Sequence, residues 1–268
     1  MVRHRARPQR DVERAAQLAA RWRRGAGALL DLLLPAACAV CGCARAAHER
    51  ELVCGACWLR ARELPRPRCN RCGHPSNLAR PSASCVWCPL LPPFVRAVRS
   101  AYAIPGGAAE SIVHAFKYGG WHALGAPMSQ RMAALRFPPD VERERAAVVP
   151  VPLASSRRRE RGYNQSEVLA AGLARRWNLP LRADLLARTR ATTTQTRLTP
   201  GERQRNVANA FRSLADRGSL RGCHLVLVDD VVTTAATLNA CAAALHDGGA
   251  RIVSFVTFGR APALGDRW

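Results

Sequence analysis

The chain has 268 residues and 29.2 kDa, 48% of them hydrophobic and 22% charged, which leaves room for one full α/β domain plus a small module and excludes wholesale disorder. Its formal charge of +22 comes from 41 Lys+Arg against 19 Asp+Glu, and Lys117 is the one lysine among them. That excludes an acidic solvating protein and leaves two readings, a polyanionic partner such as nucleic acid or an arginine bias of a GC-rich genome.

Residues 1–28 read as a basic arm with a helix over 11–24. The stretch 25–38, GAGALLDLLLPAAC, follows that arm as a signal peptide would, but Asp31 interrupts the apolar run and Pro35 stands where a lipoprotein box has an aliphatic residue. No run reaches the roughly 18 uninterrupted apolar residues of a membrane span. From 29 to 93 there is little helical or strand periodicity and much Cys, Gly, Pro and Arg, as where metal rather than a large core supplies stability. After Pro92-Pro93 the pattern changes. A strand is expected over 95–104, and then a helix over 108–117 presenting Ile112, Val113 and Phe116. Next come a strand over 147–151, a polar loop, a helix over 165–177 and a Thr-rich loop over 188–200. A strand over 225–228, a helix over 237–247 and a strand over 251–257 complete the series. Alternating strands and helices imply a mostly parallel sheet with helices on both faces, so the organisation expected is arm 1–28, metal module 29–93 and α/β domain 94–268.

Eight of the eleven cysteines form C-x-x-C pairs: Cys38/Cys41, Cys54/Cys57, Cys69/Cys72 and Cys85/Cys88, separated by 12, 11 and 12 residues. A C-x-x-C turn aims both sulfurs at one ion, so two pairs complete a four-thiolate tetrahedron and eight thiols make two structural zinc sites. An iron–sulfur cluster and redox-active dithiols are the alternatives. Sequential pairing, 38/41 with 54/57 and 69/72 with 85/88, is expected over an interleaved arrangement. Glycine follows Cys41, Cys54 and Cys72 directly, as in knuckle turns. Thiolate sites of this kind belong to a reducing compartment and place the chain in the cytoplasm. Cys223 and Cys241 read as small buried hydrophobes, Cys43 is left over, and His48 and His74 are spare ligands.

Leu225, Val226, Leu227 and Val228 form an apolar run that ends in Asp229-Asp230, and Val231-Val232 then leads into Thr233-Thr234-Ala235-Ala236-Thr237. In an open α/β sheet ligands sit beyond the carboxyl ends of such strands. A small, hydroxyl-rich turn opening a helix offers backbone N–H groups and the helix dipole to a phosphate, and the two carboxylates suit vicinal ribose hydroxyls. The plain alternative is a buried strand with a Thr-rich first helical turn. Arg157, Arg159 and Arg161 are candidates for a diphosphate, as is Lys117, with a solvated charge run as the competing reading.

The 225–238 segment resembles the phosphoribosyl-diphosphate (PRPP) motif of type I phosphoribosyltransferases, with Ala235 where that pattern usually has glycine. Further blocks narrow the resemblance: Val149-Pro150-Val151-Pro152-Leu153, Arg159-Glu160-Arg161-Gly162-Tyr163-Asn164-Gln165, Gln195 with Leu198, Arg203, Asn206-Val207 and Ala210-Phe211. With Ser111 to Tyr118 and the opening Leu-Leu-Asp31-Leu-Leu-Leu-Pro35, these resemble the ComF family of competence-associated proteins over about 29–260. The resemblance implies a double zinc ribbon ahead of a phosphoribosyltransferase fold and a role in DNA uptake during natural transformation. It implies Asp229 and Asp230 as the catalytic and ribose-binding pair, and Thr233, Thr234, Ala235, Ala236 and Thr237 around the 5′-phosphate. Ala154-Ser155-Ser156 departs from the His-Pro-Arg-like stretch that the family usually offers to pyrophosphate.

Two functions follow. One is Mg²⁺-dependent binding of PRPP, with possible pentosyl transfer to an acceptor the sequence does not identify. The other is a non-catalytic factor that senses a nucleotide while ribbons and basic surface engage single-stranded DNA and a helicase, with Arg60, Arg62, Arg66, Arg68 and Arg71 as contacts and Trp58 and Trp87 as stacking platforms or knuckle packing.

Overall fold

The structure, a computed structural model, describes residues 37–45, 51–75, 85, 87–190, 209–216 and 218–262. The helix expected over 11–24, His48, and Gln195, Leu198, Arg203 and Asn206-Val207 of the long polar loop lie outside the described residues. Contacts divide the chain into two units, 1–54 and 55–268. The first closes a knuckle in which Gly42 N–H donates to the Cys38 carbonyl (2.9 Å) and Cys38 N–H to the Cys43 carbonyl (2.9 Å). Gly42 adopts a φ of 71°, which a residue without Cβ takes freely.

The second unit runs α1 (Gly55–Leu59), β1 (Val95–Ala103), α2 (Gly107–Tyr118), α3 (Gly125–Ala133), α4 (Pro139–Glu144), β2 (Arg145–Pro150), α5 (Ser155–Arg161), α6 (Gln165–Trp177), β3 (Leu186–Arg188), β4 (Phe211–Ser213), β5 (His224–Val232), α7 (Ala236–Asp247) and β6 (Ile252–Arg260). β1, β6, β5 and β2 make a wholly parallel sheet in that order, and β3 pairs antiparallel with β4. β5 and β6 are buried almost throughout, as a parallel strand covered on both faces must be, and this is why they read as continuous apolar runs. Ile112, Val113 and Phe116 are buried on α2, and the side chains of Phe116, Phe255 and Phe258 each remove enough apolar surface to contribute about 1.5–3 kcal/mol.

Three features depart from the sequence reading. The polar stretch after β2 is not a loop but the helix α5, closed by Gly162 in the left-handed region at φ 78°. Helices α3 and α4, and the β3–β4 pair, fill segments for which the periodicity offered nothing. β5 also continues past its aliphatic run, so Asp229 and Asp230 lie within the strand rather than after it, with Asp229 in register with Thr257 of β6.

In this unit the ribbon backbone is bonded to the sheet: Val98 N–H of β1 donates to the Arg71 carbonyl at 2.8 Å. The Arg71 guanidinium reaches the carbonyls of Val95 (3.2 Å), Cys88 (3.4 Å), Leu91 (3.2 Å) and Pro92 (2.8 Å). Because one cation satisfies four carbonyls, Arg71→Met is expected to lower unfolding free energy by about 2–4 kcal/mol in urea titration, where a loss below about 0.5 kcal/mol would contradict this role.

Candidate functional site

β5 carries Asp229 and Asp230 to the carboxyl end of the sheet, where α2 and α6 supply their partners. Lys117, in the last turn of α2, places Nζ 2.9 Å from Asp230 Oδ2. Asp229 Oδ1 accepts from Ser166 Oγ at 2.9 Å and from the Asp230 N–H at 2.9 Å. Ser166 is held in turn by the start of α6: Asn164 caps the helix by accepting the Ser166 N–H at 3.1 Å, and its Nδ2 donates to the Val151 carbonyl at 3.0 Å. Burial, and then the negative charge of Asp230, push the Asp229 carboxyl up to about 7, against the opposing pull of Lys117. Burial works against the Lys117 charge, but the adjacent Asp230 and then Asp229 outweigh it and hold the ammonium above its ordinary range. The pair is thus a poised carboxyl beside a carboxylate locked to a cation. Ser166 and Asn164 were not singled out from the sequence as site residues, although N-S two residues apart before a helix is a capping signal.

Between β5 and α7, Thr233, Thr234 and Ala235 are partly exposed, and Ala235, the N-cap of α7, offers no side chain to cap its first turn. The helix dipole favours an anion at such a start. Ala236 is buried and Thr237 lies in that first turn. Ala235 sits at φ 61° and ψ 12°, a left-handed conformation that favours glycine. The family's usual glycine is thus explained by the backbone. Ala235→Gly is expected to raise stability by about 1 kcal/mol, measured as a higher urea midpoint, because the strain of Cβ at positive φ is about that size; a fall in the midpoint would contradict it.

The candidate diphosphate residues do not converge. Arg157 pairs with Glu160 at 3.7 Å within α5, and Arg159 is exposed. Arg161 alone approaches the acids' surroundings: its Nη2 donates to Tyr118 Oη at 3.2 Å and its guanidinium lies 4.8 Å from that ring's centre. Lys117 does meet the acid pair. The residues proposed for DNA contact are mostly engaged internally. Trp58 is buried against Tyr102 and Phe258, both at 6.3 Å between ring centres, with the Arg131 guanidinium 3.3 Å from its own ring centre. Trp87 stacks on His74 at 5.1 Å. Arg60 donates to Cys57 Sγ at 3.1 Å and Arg68 to the Pro65 carbonyl at 3.2 Å, while Arg62 and Arg66 remain exposed.

The thiols of Cys69, Cys72, Cys85 and Cys88 all lie within 4.8 Å of one another, with sulfur separations of 3.5 Å (Cys69–Cys88) and 3.4 Å (Cys72–Cys85). Four sulfurs each about 2.3 Å from a zinc ion stand about 3.8 Å apart, so the donor set fits tetrahedral zinc. In the first unit Cys41 Sγ is 3.8 Å from Cys54 Sγ, and the Cys54 N–H points at Cys38 Sγ at 3.3 Å. Cys57 completes the C-x-x-C turn that Cys54 begins, so the grouping is sequential. Gly55 differs from the other knuckle glycines in opening a helix, α1. Cys241 is fully buried in the core, Cys223 packs partly against it, and Cys43 is exposed. No helix among the described residues is long and apolar enough to cross a membrane.

A family model described as a double zinc ribbon domain matches residues 29–89, and one described as a phosphoribosyl transferase domain matches 163–268. The chain is 32% identical over 213 residues to DNA utilization protein YhgH of Escherichia coli (strain K12), covering 75% of this chain and 87% of that one. It is 38% identical over 93 residues to Competence protein F of Haemophilus influenzae, covering 35% and 41% of the two chains. It is also 28% identical over 212 residues to Competence protein ComFC of Bacillus subtilis, covering 74% and 80%. The parallel sheet with flanking helices and the preceding Cys-rich module are the architecture that these matches describe.

Proposed function

Because the chain belongs to the competence-related ComF family and carries a phosphoribosyltransferase-like domain behind a double zinc ribbon, we propose that it binds PRPP, or a related ribose phosphate, with Mg²⁺ and acts in DNA uptake during natural transformation. The observation that carries this reading is the pairing of Asp229 and Asp230 at the end of β5 with a helix start a few residues on whose N-cap, Ala235, makes no side-chain cap. Asp229 and Asp230 accept the ribose hydroxyls. The loop 233–237 holds the 5′-phosphate through its amides and the hydroxyls of Thr233, Thr234 and Thr237. Arg161, on its Tyr118 shelf, and Lys117 supply positive charge near the diphosphate.

Mg²⁺ is a hard cation that binds through one or two carboxylates and substrate phosphates, a donor set the acids and the ligand together provide, and when bound it neutralises charge building on the leaving diphosphate. The eight thiols of Cys38, Cys41, Cys54, Cys57, Cys69, Cys72, Cys85 and Cys88 hold two structural zinc ions in a reducing cytoplasm, and the working organisation is arm 1–28, ribbons 29–93 and ligand-binding domain 94–268. Should turnover occur, the chain is a pentosyltransferase in which Asp229, with a carboxyl near neutrality, and Asp230 stand at the reacting ribose.

The alternative, a non-catalytic factor binding single-stranded DNA and a helicase through the ribbons, loses weight because Trp58, Trp87 and Arg71 are already engaged in packing and hydrogen bonds. Its remaining support is the exposed Arg62 and Arg66 and the net charge. Thermal unfolding of zinc-loaded protein separates the two readings. PRPP with Mg²⁺ at about 100 times its dissociation constant is expected to stabilise by about 2.7 kcal/mol. A transition that moves with single-stranded DNA and not with PRPP would reverse the ranking.

A further inference from the structure

The one lysine of the chain meets the acid pair from a fixed position. Lys117 lies in the last turn of α2, which closes with the Gly119 N–H donating to the Ala115 carbonyl at 2.8 Å. A Cβ on Gly119 would fall 2.6 Å from Trp121 Cδ1, so the indole packs directly on that turn. On the other side of Lys117, Tyr163 Oη donates to the Phe116 carbonyl, and the two rings lie 5.7 Å apart between centres. The backbone that carries the ammonium is therefore held before and after it.

The ammonium takes up one oxygen of the pair. Lys117 Nζ stands 2.9 Å from Asp230 Oδ2, with the two side chains 22% and 9% exposed, so salt and water screen the contact little. Both hydrogen bonds to Asp229, from Ser166 Oγ and from the Asp230 N–H, fall on Oδ1. Among the described residues, Asp229 Oδ2 and Asp230 Oδ1 receive no hydrogen bond or ion pair. Arg161 adds a second cation, whose charge reaches Lys117 and opposes it while the guanidinium rests on the Tyr118 ring. Two carboxyls thus face two cations, and each acid keeps one oxygen clear.

We propose that Lys117 is the internal counter-cation of the acid pair: it keeps a free divalent cation off Asp229 and Asp230, so that Mg²⁺ reaches the site only together with the phosphates of the ligand. This rests on the reading of the pair as a ribose-phosphate site and adds an order of binding to it. Mg²⁺ gives up its water reluctantly and settles through one or two carboxylates plus substrate phosphates. A free ion approaching Asp230 meets the ammonium first, and the repulsion between the two charges cancels much of the attraction of the carboxylates. A diphosphate reverses that balance, because it brings further donor oxygens and negative charge that the two cations attract. The clear oxygens of the acids remain for the ribose hydroxyls. A neutral side chain in place of Lys117 turns the pair into a dicarboxylate site open to the ion alone.

The probe is Mn²⁺, which takes the same octahedral oxygen sites and is followed by electron paramagnetic resonance. It is titrated into zinc-loaded full chain with and without PRPP, against PRPP and Mn²⁺ without protein. Wild type, Lys117→Met, Lys117→Gln and Lys117→Arg are compared, and sites that persist in Asp229→Asn/Asp230→Asn are subtracted. Wild type is expected to bind the ion alone at least about tenfold more weakly than in the presence of PRPP. The two neutral variants should bind the ion alone at least about tenfold more tightly than wild type, a gain that mere damage to the site would not produce. Lys117→Arg, which keeps the charge, should behave as wild type. Equal affinity of wild type and the neutral variants for the ion alone would overturn the counter-cation role, as would wild type that holds the ion as tightly without PRPP as with it. Binding of PRPP by the wild type would in either case leave the ribose-phosphate reading intact. No binding of PRPP, with or without the ion, would overturn both.

Discussion

Asp229→Asn is expected to raise the unfolding temperature at pH 8 while weakening ribose-phosphate binding about 10- to 100-fold. Burial and the adjacent Asp230 hold the Asp229 carboxyl up to about 7, above its ordinary value of 3.8. A carboxyl whose folded-state value is raised binds its proton more tightly when folded. Its contribution to stability is therefore fully present below the unfolded value and is lost as pH rises through the folded one. The wild type should lose stability between about pH 4 and pH 7, while the amide, which does not titrate, should not. The isosteric amide oxygen can still accept from Ser166 and from the Asp230 N–H, so little else changes. The gain at pH 8 should be on the order of 1–3 kcal/mol, or a few degrees for a domain of this size, and should vanish near pH 4. Binding falls because hydrogen bonds to a charged group are worth about 1.5–3 kcal/mol. Calorimetric unfolding of both proteins at pH 4, 6 and 8 checks this, and parallel stability curves would refute it. A gain in stability coupled to a loss of binding is the signature of acids kept for a ligand rather than for the fold.

Loss of one ligand from the second thiol cluster should have the largest structural effect. Structural zinc in a four-thiolate site contributes apparent binding energy of about 10–16 kcal/mol, and most of it is folding energy. Cys72→Ser is expected to reduce zinc content from two ions to one by native mass spectrometry and to detach the knuckle from β1. Gly73, pressed onto the Val98 carbonyl, the Arg71 fork and the bond from Arg260 Nη2 to the Cys72 carbonyl all hang on that turn. Its unfolding should change from one transition to two, or begin at least about 10 °C lower. Retention of both zinc ions at full occupancy in this variant would show that the four thiols do not act as one site.

The central strands were legible because a parallel strand buried on both faces must be apolar throughout, and β5 and β6 are. The thiol pairs were legible because C-x-x-C spacing fixes local geometry irrespective of the rest of the fold. Helix α5, SSRRRER, was not legible: it buries no residue, so it has no apolar period, and Arg158 is held from outside it by Glu167 of α6 at 3.1 Å. The same fact puts Arg157 beside Glu160 at 3.7 Å on one helix and leaves Arg159 exposed, since arginine spacing along a loop says nothing about a helix face. Lys117 stood out as the lone lysine, but its partner Asp230 lies 113 residues along the chain and only the packing of α2 against the sheet brings them together. Ser166 was invisible for the same reason. Trp58 and Trp87 show the opposite case, in which residue types suited to stacking on bases are taken up by Tyr102, Phe258, Arg131 and His74.

The most direct measurement is isothermal titration of PRPP with Mg²⁺ into zinc-loaded protein, beside an Asp229→Asn/Asp230→Asn variant shown to be folded. Micromolar binding by the wild type that requires Mg²⁺ and disappears in the variant is the expected result. Equal binding by both proteins, or none by the wild type, would contradict a ribose-phosphate site at the end of β5.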